Sequence, residues 1–242
     1  MKRVVFPTEH RGHAMEDRKR LLAKLELFSG LSDRELSEIE LIARKRPVEA
    51  REMLFHKGDD GGDVFVIASG RLKAFVTGPD GDDRVFRYMG PGEIIGEIAA
   101  FAGGKRTANV AAVEACELLM IPRRDFMPLL RRSPEITLRL LAGLAERMIR
   151  LSETFEDNNF RTVSARLAKC LLSFADRWGE PAKNGLRIAG RFPQAELGDL
   201  VGATRESVNK LVRVWTADGV LEMHDGSITI KQRGALEKLA EY

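Results

Sequence analysis

One short stretch near the middle of the chain carries the residue types needed to bind a cyclic phosphate and its ribose. Backbone N–H groups at the start of a short helix attract an anion, and an arginine guanidinium can grip two phosphate oxygens at once. A threonine hydroxyl can donate a further hydrogen bond, and a glutamate can accept one from a ribose hydroxyl. The residues of this candidate site are Gly96, Glu97, Ile98, Ala99, Arg106 and Thr107.

The site lies in a region that turn residues divide into short strands. Between residues 48 and 121, glycine-rich turns alternate with apolar runs at 64–67, 72–76 and 85–89. Turns about eight to twelve residues apart are typical of an antiparallel sandwich or barrel. We therefore expect the candidate site to lie on a loop of a β domain, where binding residues concentrate. A helix should precede this domain over residues 19–42, with Ser32 and Glu35 forming a capping box.

A long helix is predicted to follow over residues 134–155, because Pro134 favours a helix start. Its first apolar seam has the heptad spacing of paired helices: Leu138, Leu141, Ala145, Met148, Ser152 and Phe155. A second apolar stripe runs through Leu140, Leu144 and Leu151. We infer that one side packs on the β domain and the other on a second subunit; a buried helix in a monomer is the alternative. Residues 156–159 are polar and predict a hinge.

The last third of the chain has the pattern of a winged helix-turn-helix. Helices are predicted at 163–174 and 193–201, Gly202 makes the turn, and Thr204 caps a helix over 205–217. Hydrophobic spacing places Val208, Leu211, Val212 and Trp215 towards the core, and residues 220–230 read as a hairpin. The candidate DNA-binding residues are those at the start and on the outer face of the helix over 205–217: Thr204, Arg205, Glu206, Asn209 and Lys210.

The exposed face of the helix over 205–217 suits the major groove of DNA. Arginine pairs bidentately with guanine and glutamate accepts from cytosine, and the first turn of a recognition helix faces the base edges. Taken alone, the same residues also fit an ordinary solvated helix face.

Composition narrows the function classes. The chain has 242 residues, 44% of them hydrophobic, and a formal charge of +3. No run of apolar residues is long enough to span a membrane, residues 1–20 lack a signal-peptide core, and two distant cysteines suit a reducing cytoplasm. The four histidines have no metal-ligand spacing. Because no set of catalytic residues is present, we expect a cytoplasmic protein that is neither an enzyme nor a metalloprotein.

Two segments resemble a known family. The Gly96–Glu97 to Arg106–Thr107 pattern resembles the phosphate-binding cassette of cyclic-nucleotide-binding domains. The segment from Gly202 to Leu211 resembles the DNA-reading helix of the cyclic-AMP receptor/fumarate-nitrate regulator (CRP/FNR) family of bacterial transcription factors. Lys210 stands where that family has an arginine, and lysine lacks the arginine fork.

The resemblance implies an α+β fold: an antiparallel β-roll, a long dimerisation helix and a C-terminal winged helix-turn-helix. The implied segments are an N-terminal extension (1–20), the β-roll (21–133), the dimerisation helix (134–157) and the DNA-binding domain (158–242). It further implies a homodimer that binds palindromic double-stranded DNA and RNA polymerase when a cyclic nucleotide binds.

Cyclic AMP is the expected effector by the same resemblance. Arg147 matches a ligand-side arginine of the family, and Leu151–Ser152 occupies the position of a Thr–Ser pair that reads adenine. Because Leu151 lacks the hydroxyl, cyclic GMP remains an alternative effector. A ligand-independent regulator with a vestigial pocket, or a nucleotide-binding module that acts on a protein partner, are further alternatives. The cysteines do not provide the cluster of an iron–sulfur sensor, and His56 is a poor haem ligand.

Overall fold

The computed structural model describes Leu22, Phe28 and residues 31–241. The N-terminal extension 1–20, as well as Leu21 and Leu25 of the predicted first helix, lie outside the described residues. The chain divides into two compact units, one extending to Val76 and including Arg87–Ala145, the other formed by Thr77–Phe86 and the chain from Glu146 on. This division falls inside the long helix, whereas the sequence suggested that helix as a segment of its own.

Two antiparallel four-stranded sheets form the N-terminal part, with strand orders β1-β8-β3-β6 and β2-β7-β4-β5. The strands are β1 (Arg44–Val48), β2 (Met53–Phe55), β3 (Val64–Ser69), β4 (Leu72–Thr77), β5 (Asp83–Met89), β6 (Ile94–Ile95), β7 (Asn109–Ala112) and β8 (Cys116–Ile121). Strands β3, β4 and β5 contain the three apolar runs seen in the sequence, so the predicted antiparallel β domain is confirmed. One core cluster includes Phe65, Leu72 and Val110, contributed by strands of both sheets.

Over residues 31–133, three helices accompany these sheets: α1 (Asp33–Ile42), α2 (Glu97–Ala102) and α3 (Arg123–Arg132). Helix α1 begins with the predicted capping box, in which the Ser32 hydroxyl accepts from the Glu35 backbone and the Glu35 carboxylate accepts from the Ser32 backbone. A second core cluster joins the helices to the first sheet through Leu36, Phe126 and Leu119. Helix α3 was not predicted.

The long helix α4 runs from Pro134 to Phe160 and therefore continues through residues 156–159. The predicted non-helical hinge at these residues is wrong, because the chain leaves the helix only at Arg161 and Thr162. Ile136 and Leu140 are buried in the cluster that contains α1 and α3. This confirms that one side of the helix packs on the β domain.

The C-terminal part is a helix-turn-helix with a sheet beside it. Its elements are α5 (Val163–Trp178), β9 (Gly179–Ala182), β10 (Gly185–Ile188), α6 (Gln194–Val201), α7 (Arg205–Ala217), β11 (Leu221–His224), β12 (Ser227–Ile230) and α8 (Arg233–Ala240). Helix α7 has the predicted limits, and the predicted wing is the β11–β12 hairpin. The sheet order β11-β12-β10-β9 shows that the wing belongs to a four-stranded sheet, of which the sequence predicted two strands. The α+β fold is thus the one expected.

Candidate functional sites

Arg106 is the centre of the candidate nucleotide site, and its side chain is buried and held from several directions. Its Nη1 donates to the Gly96 carbonyl at 3.1 Å and its Nη2 to the Asp63 carbonyl at 2.8 Å. The guanidinium carbon lies 4.3 Å from the centre of the Phe55 ring, in the geometry of a cation–π contact. The sequence pointed to Arg106 but not to Phe55 or Asp63, which approach it from distant parts of the chain.

The charge of Arg106 is maintained despite its burial. Loss of water around the guanidinium lowers its pKa, while the nearby carboxylates of Asp63, Asp59 and Glu97 oppose this change. An arginine starts from so high a pKa that it stays protonated in a protein. The site therefore contains a fixed positive charge in a partly dry environment, where its attraction for an anion is stronger than in water.

Gly96 allows the loop to pass close to Arg106. Its φ of 83° lies in the left-handed region, where residues with a Cβ are strained. A Cβ at this position would also lie 2.3 Å from Nη1 of Arg106 and 2.9 Å from the Asp63 carbonyl oxygen. Both facts require glycine here.

Three contacts hold helix α2 and the loop that follows it in place. Arg123 donates from Nε to the Ala100 carbonyl at 2.7 Å. A Cβ on Gly61 would lie 2.2 Å from the Ala99 Cβ, so the loop before β3 packs directly on α2. Lys105 bonds Asp60 at 2.5 Å and lowers the pKa of that carboxyl. These contacts bring Gly96, Glu97, Ala99 and Arg106 together.

Replacing Gly96 by alanine is expected to weaken nucleotide binding by about tenfold and to lower the free energy of unfolding by about 1–3 kcal/mol. The new methyl group would displace the Arg106 guanidinium, and the backbone would be strained. Isothermal titration with cyclic AMP and chemical denaturation measure the two effects. Gly62→Ala is the matched control, because a Cβ there meets no atom within 4 Å. An unchanged affinity in Gly96→Ala would contradict the close approach.

The remaining residues proposed for the ligand have different environments. Glu97 and Ala99 are buried, whereas Ile98 and Thr107 are exposed. Arg147, Leu151 and Ser152 lie on the part of α4 that belongs to the second unit; Arg147 is half-buried and the other two are exposed. Their part in binding stays a prediction.

The candidate DNA-reading face is displayed by α7. The Thr204 hydroxyl accepts from the Ser207 backbone at 3.2 Å, which confirms the predicted N-cap. Val208, Val212 and Trp215 are buried, and Leu211 is half-buried. Asn209 is half-buried, whereas the other four residues proposed for DNA are exposed: Thr204, Arg205, Glu206 and Lys210.

Glu206 is held as a charged acceptor on this face. A backbone N–H of its own residue and the Thr204 hydroxyl bond its carboxylate, so the pKa of Glu206 lies below its ordinary value. A carboxylate accepts hydrogen bonds and does not donate them, which is the property needed to bind the amino group of cytosine. The α7 face thus presents a cation, a carboxylate and a second cation within about one turn and a half.

Metal ligands, cysteine reactivity and helix hydrophobicity can be assessed for the residues that the structure describes. In Leu22, Phe28 and residues 31–241, no group of three or more His, Cys, Asp or Glu residues is placed to hold a metal ion. Burial raises the pKa of the Cys170 thiol to about 12, which makes this cysteine a poor nucleophile. No helix in the described part of the chain is long and apolar enough to cross a membrane.

Comparison with known proteins agrees with both domains. A family model of the cyclic nucleotide-binding domain matches residues 45–133, and a model of the Crp-like helix-turn-helix domain matches residues 165–239. The chain is 30% identical over 223 residues to the CRP-like cAMP-activated global transcriptional regulator of Mycobacterium tuberculosis, covering 91% of this chain and 98% of the relative. It is 29% identical over 214 residues to the cyclic AMP receptor protein of Thermus thermophilus, covering 88% and 96%.

A solved structure has the same fold at lower sequence identity. The c-di-GMP responsive global regulator CLP of Xanthomonas campestris has a TM-score of 0.69 and is 22% identical, over 82% of this chain and 99% of that chain. This likeness concerns the fold alone. The name of that protein includes a different cyclic nucleotide, so the fold does not by itself determine the effector.

Proposed function

This chain belongs to the CRP/FNR family of transcription regulators that bind cyclic nucleotides, and on that premise we propose that it is a homodimer activated by cyclic AMP to bind palindromic promoter DNA. One observation carries the ligand part of the proposal: a buried, charged Arg106 that two carbonyl groups and an aromatic ring orient. The DNA part rests on the exposed α7 face. By family analogy we extend the proposal to RNA polymerase as a partner.

The phosphate of the nucleotide would bind to Arg106. The guanidinium has five N–H donors, and two of them are engaged by the Gly96 and Asp63 carbonyls. The others can form a charge-assisted pair with two phosphate oxygens. Thr107 would donate its hydroxyl to the same phosphate, and Glu97 would accept from the ribose. The loop residues Ile98 and Ala99 would lie against the sugar.

Helix α4 would contribute the base contacts and the second subunit. Leu138, Leu141, Met148 and Phe155 of the predicted seam are more than half exposed, and an apolar stripe at heptad spacing suits a parallel partner helix. In a twofold dimer the two α7 helices can bind half-sites one helical turn of DNA apart. Arg147, Leu151 and Ser152 would then face the base.

Replacing Leu151 by threonine is expected to raise the preference for cyclic AMP over cyclic GMP by about fivefold, because one hydrogen bond to the base is worth about 1 kcal/mol. Titration of the variant with both nucleotides measures the ratio. Ile149→Thr is the matched control, since Ile149 is also an exposed apolar residue of α4. An equal change in both variants would contradict a base contact at Leu151.

The decisive test is calorimetric titration of the purified protein with cyclic AMP and then cyclic GMP. Micromolar binding of cyclic AMP, together with tighter binding to a duplex selected from a random DNA library, supports the proposal. Binding of cyclic GMP alone would replace cyclic AMP as the proposed effector and leave the rest of the proposed mechanism unchanged. Binding of neither nucleotide, with DNA affinity unchanged, would replace the proposal by a ligand-independent regulator.

A further inference from the structure

The junction between α4 and α5 contains a cluster of charged side chains that the proposed ligand and DNA contacts do not use. Asp157, Arg161, Arg166 and Lys169 form it, and all four belong to the second compact unit. We propose that Arg166 is a positioning residue that ties the end of the long helix to the turn before the DNA-reading helix. The proposal rests on the proposed function, because it concerns how the ligand state reaches the DNA-binding face.

Arg166 binds three carbonyl oxygens that come from two different helix ends. Its Nη1 donates to the Arg161 carbonyl at 2.8 Å, just beyond the last residue of α4. Its Nε donates to the Val201 carbonyl at 2.7 Å and its Nη2 to the Gly202 carbonyl at 3.3 Å. Val201 ends α6, and Gly202 is the left-handed cap of that helix, with a φ of 61°.

The chemistry of these carbonyls explains why an arginine stands here. The last carbonyl groups of a helix have no partner within the helix and carry partial negative charge. A guanidinium has donors in a fixed planar fork and can therefore serve both helix ends at once. A lysine ammonium has its donors on one atom and cannot span the same three acceptors.

A second set of contacts connects the end of α4 to other helices. The Asp157 carboxylate binds Nζ of Lys169 on α5 at 2.7 Å and Nε of Arg161 at 2.8 Å. Nη1 of Arg161 also donates to the Ala240 carbonyl at the end of α8. The end of α4 is thus joined to α5 and to α8.

The connection to the DNA-reading helix is short. Gly202 is two residues before Thr204, which caps α7, and three before Arg205. A displacement of the Arg161 carbonyl would pull on the Arg166 fork and hence on the start of α7. Arg166 therefore contacts both the turn before α7 and the end of the long helix.

The test compares Arg166→Lys with Arg187→Lys in the full-length protein. Arg187 is an exposed arginine of β10 that pairs with Glu180, so it undergoes the same chemical change outside the cluster. Cyclic AMP affinity is measured by calorimetry, and affinity for the selected duplex is measured with and without saturating cyclic AMP. We expect the cyclic AMP affinity of Arg166→Lys to lie within twofold of that of wild type. The increase in DNA affinity on adding cyclic AMP should be at least fivefold smaller in the variant than in wild type.

Hydrogen exchange separates failure of this proposal from failure of the proposed function. If Arg166 positions the turn, amides of residues 198–206 exchange faster in Arg166→Lys, while those of the wing at 221–230 are unchanged. The role of Arg166 would be overturned if wild type responds to cyclic AMP and Arg166→Lys shows the same nucleotide-dependent gain in DNA affinity. Unaltered exchange at 198–206 in the variant would also overturn it. A wild type without any nucleotide response would overturn the proposed function, and the exchange data would still decide whether Arg166 positions the turn.

Discussion

Replacing Arg106 by leucine is expected to reduce cyclic-nucleotide affinity by about 100-fold or more. Two charge-assisted hydrogen bonds to the phosphate would be lost, each worth about 1.5–3 kcal/mol. Leucine would also leave the Gly96 and Asp63 carbonyls without the donors that Arg106 supplies, so unfolding free energy should fall by about 1–3 kcal/mol. Calorimetric titration and thermal unfolding measure the two losses separately.

Two further variants make the Arg106 result interpretable. Arg124→Leu makes the same change at an exposed arginine of α3, and it should bind the nucleotide as wild type does. Arg106→Lys keeps the charge without the fork and should bind with intermediate affinity. If Arg106→Leu were folded and bound cyclic AMP with unchanged affinity, the assignment of the phosphate site would be wrong.

Replacing Arg205 by alanine is expected to weaken the free energy of DNA binding by about 1–3 kcal/mol per half-site. It should also relax the base preference at one position of the half-site. In a twofold dimer both half-sites lose the contact, so the affinity for the selected duplex should fall by at least about 30-fold. Fluorescence anisotropy with the selected duplex and its single-base variants measures both the loss and the relaxed position.

The comparison of Arg205 with Lys210 distinguishes base reading from phosphate binding. Lys210→Ala should also relax preference at one position, and an equal loss on every duplex, with a smaller salt dependence, would instead mark Lys210 as a phosphate contact. Arg34→Ala removes an exposed cation of α1 and is the control for net charge. Equal losses in Arg205→Ala and Arg34→Ala would refute a specific contact.

Elements with strong local patterns could be predicted from the sequence. The limits of α7 follow from the Thr204 cap and from the spacing of Val208, Val212 and Trp215, which is that of one helix face. Helix α1 begins at its predicted capping box, at Asp33, so the helix expected over residues 19–42 does not continue through Leu31 and Ser32. In both cases the residues that decide the structure are neighbours along the chain.

Elements whose residues depend on distant partners could not be predicted. Strand β1 has the sequence Arg-Lys-Arg-Pro-Val and lacks apolar alternation, and it forms because it pairs with β8. Helix α3 contains Pro128, a helix breaker, but buries Phe126 and Leu129. The polar residues 156–159 suggested a hinge, yet Asp157 is held in the helix by Lys169 and Arg161.

The residues of the candidate nucleotide site differ in the same way in how far the sequence predicts them. The loop glycine, the glutamate and the Arg106–Thr107 pair are recognisable because they are close in sequence. Phe55 and Asp63 come from other parts of the chain, and no local pattern connects them to Arg106. Residues proposed to contact the ligand are therefore easier to recognise from the sequence than the residues that position them.

The two faces of α7 have an evolutionary consequence. Its core-facing residues, Val208, Val212 and Trp215, are different positions from its exposed ones, Arg205, Glu206 and Lys210. Mutations at the exposed positions can therefore accumulate without loss of folding stability. A duplicated copy of this regulator could diverge to a new set of promoters through very few substitutions, while both copies kept the same scaffold.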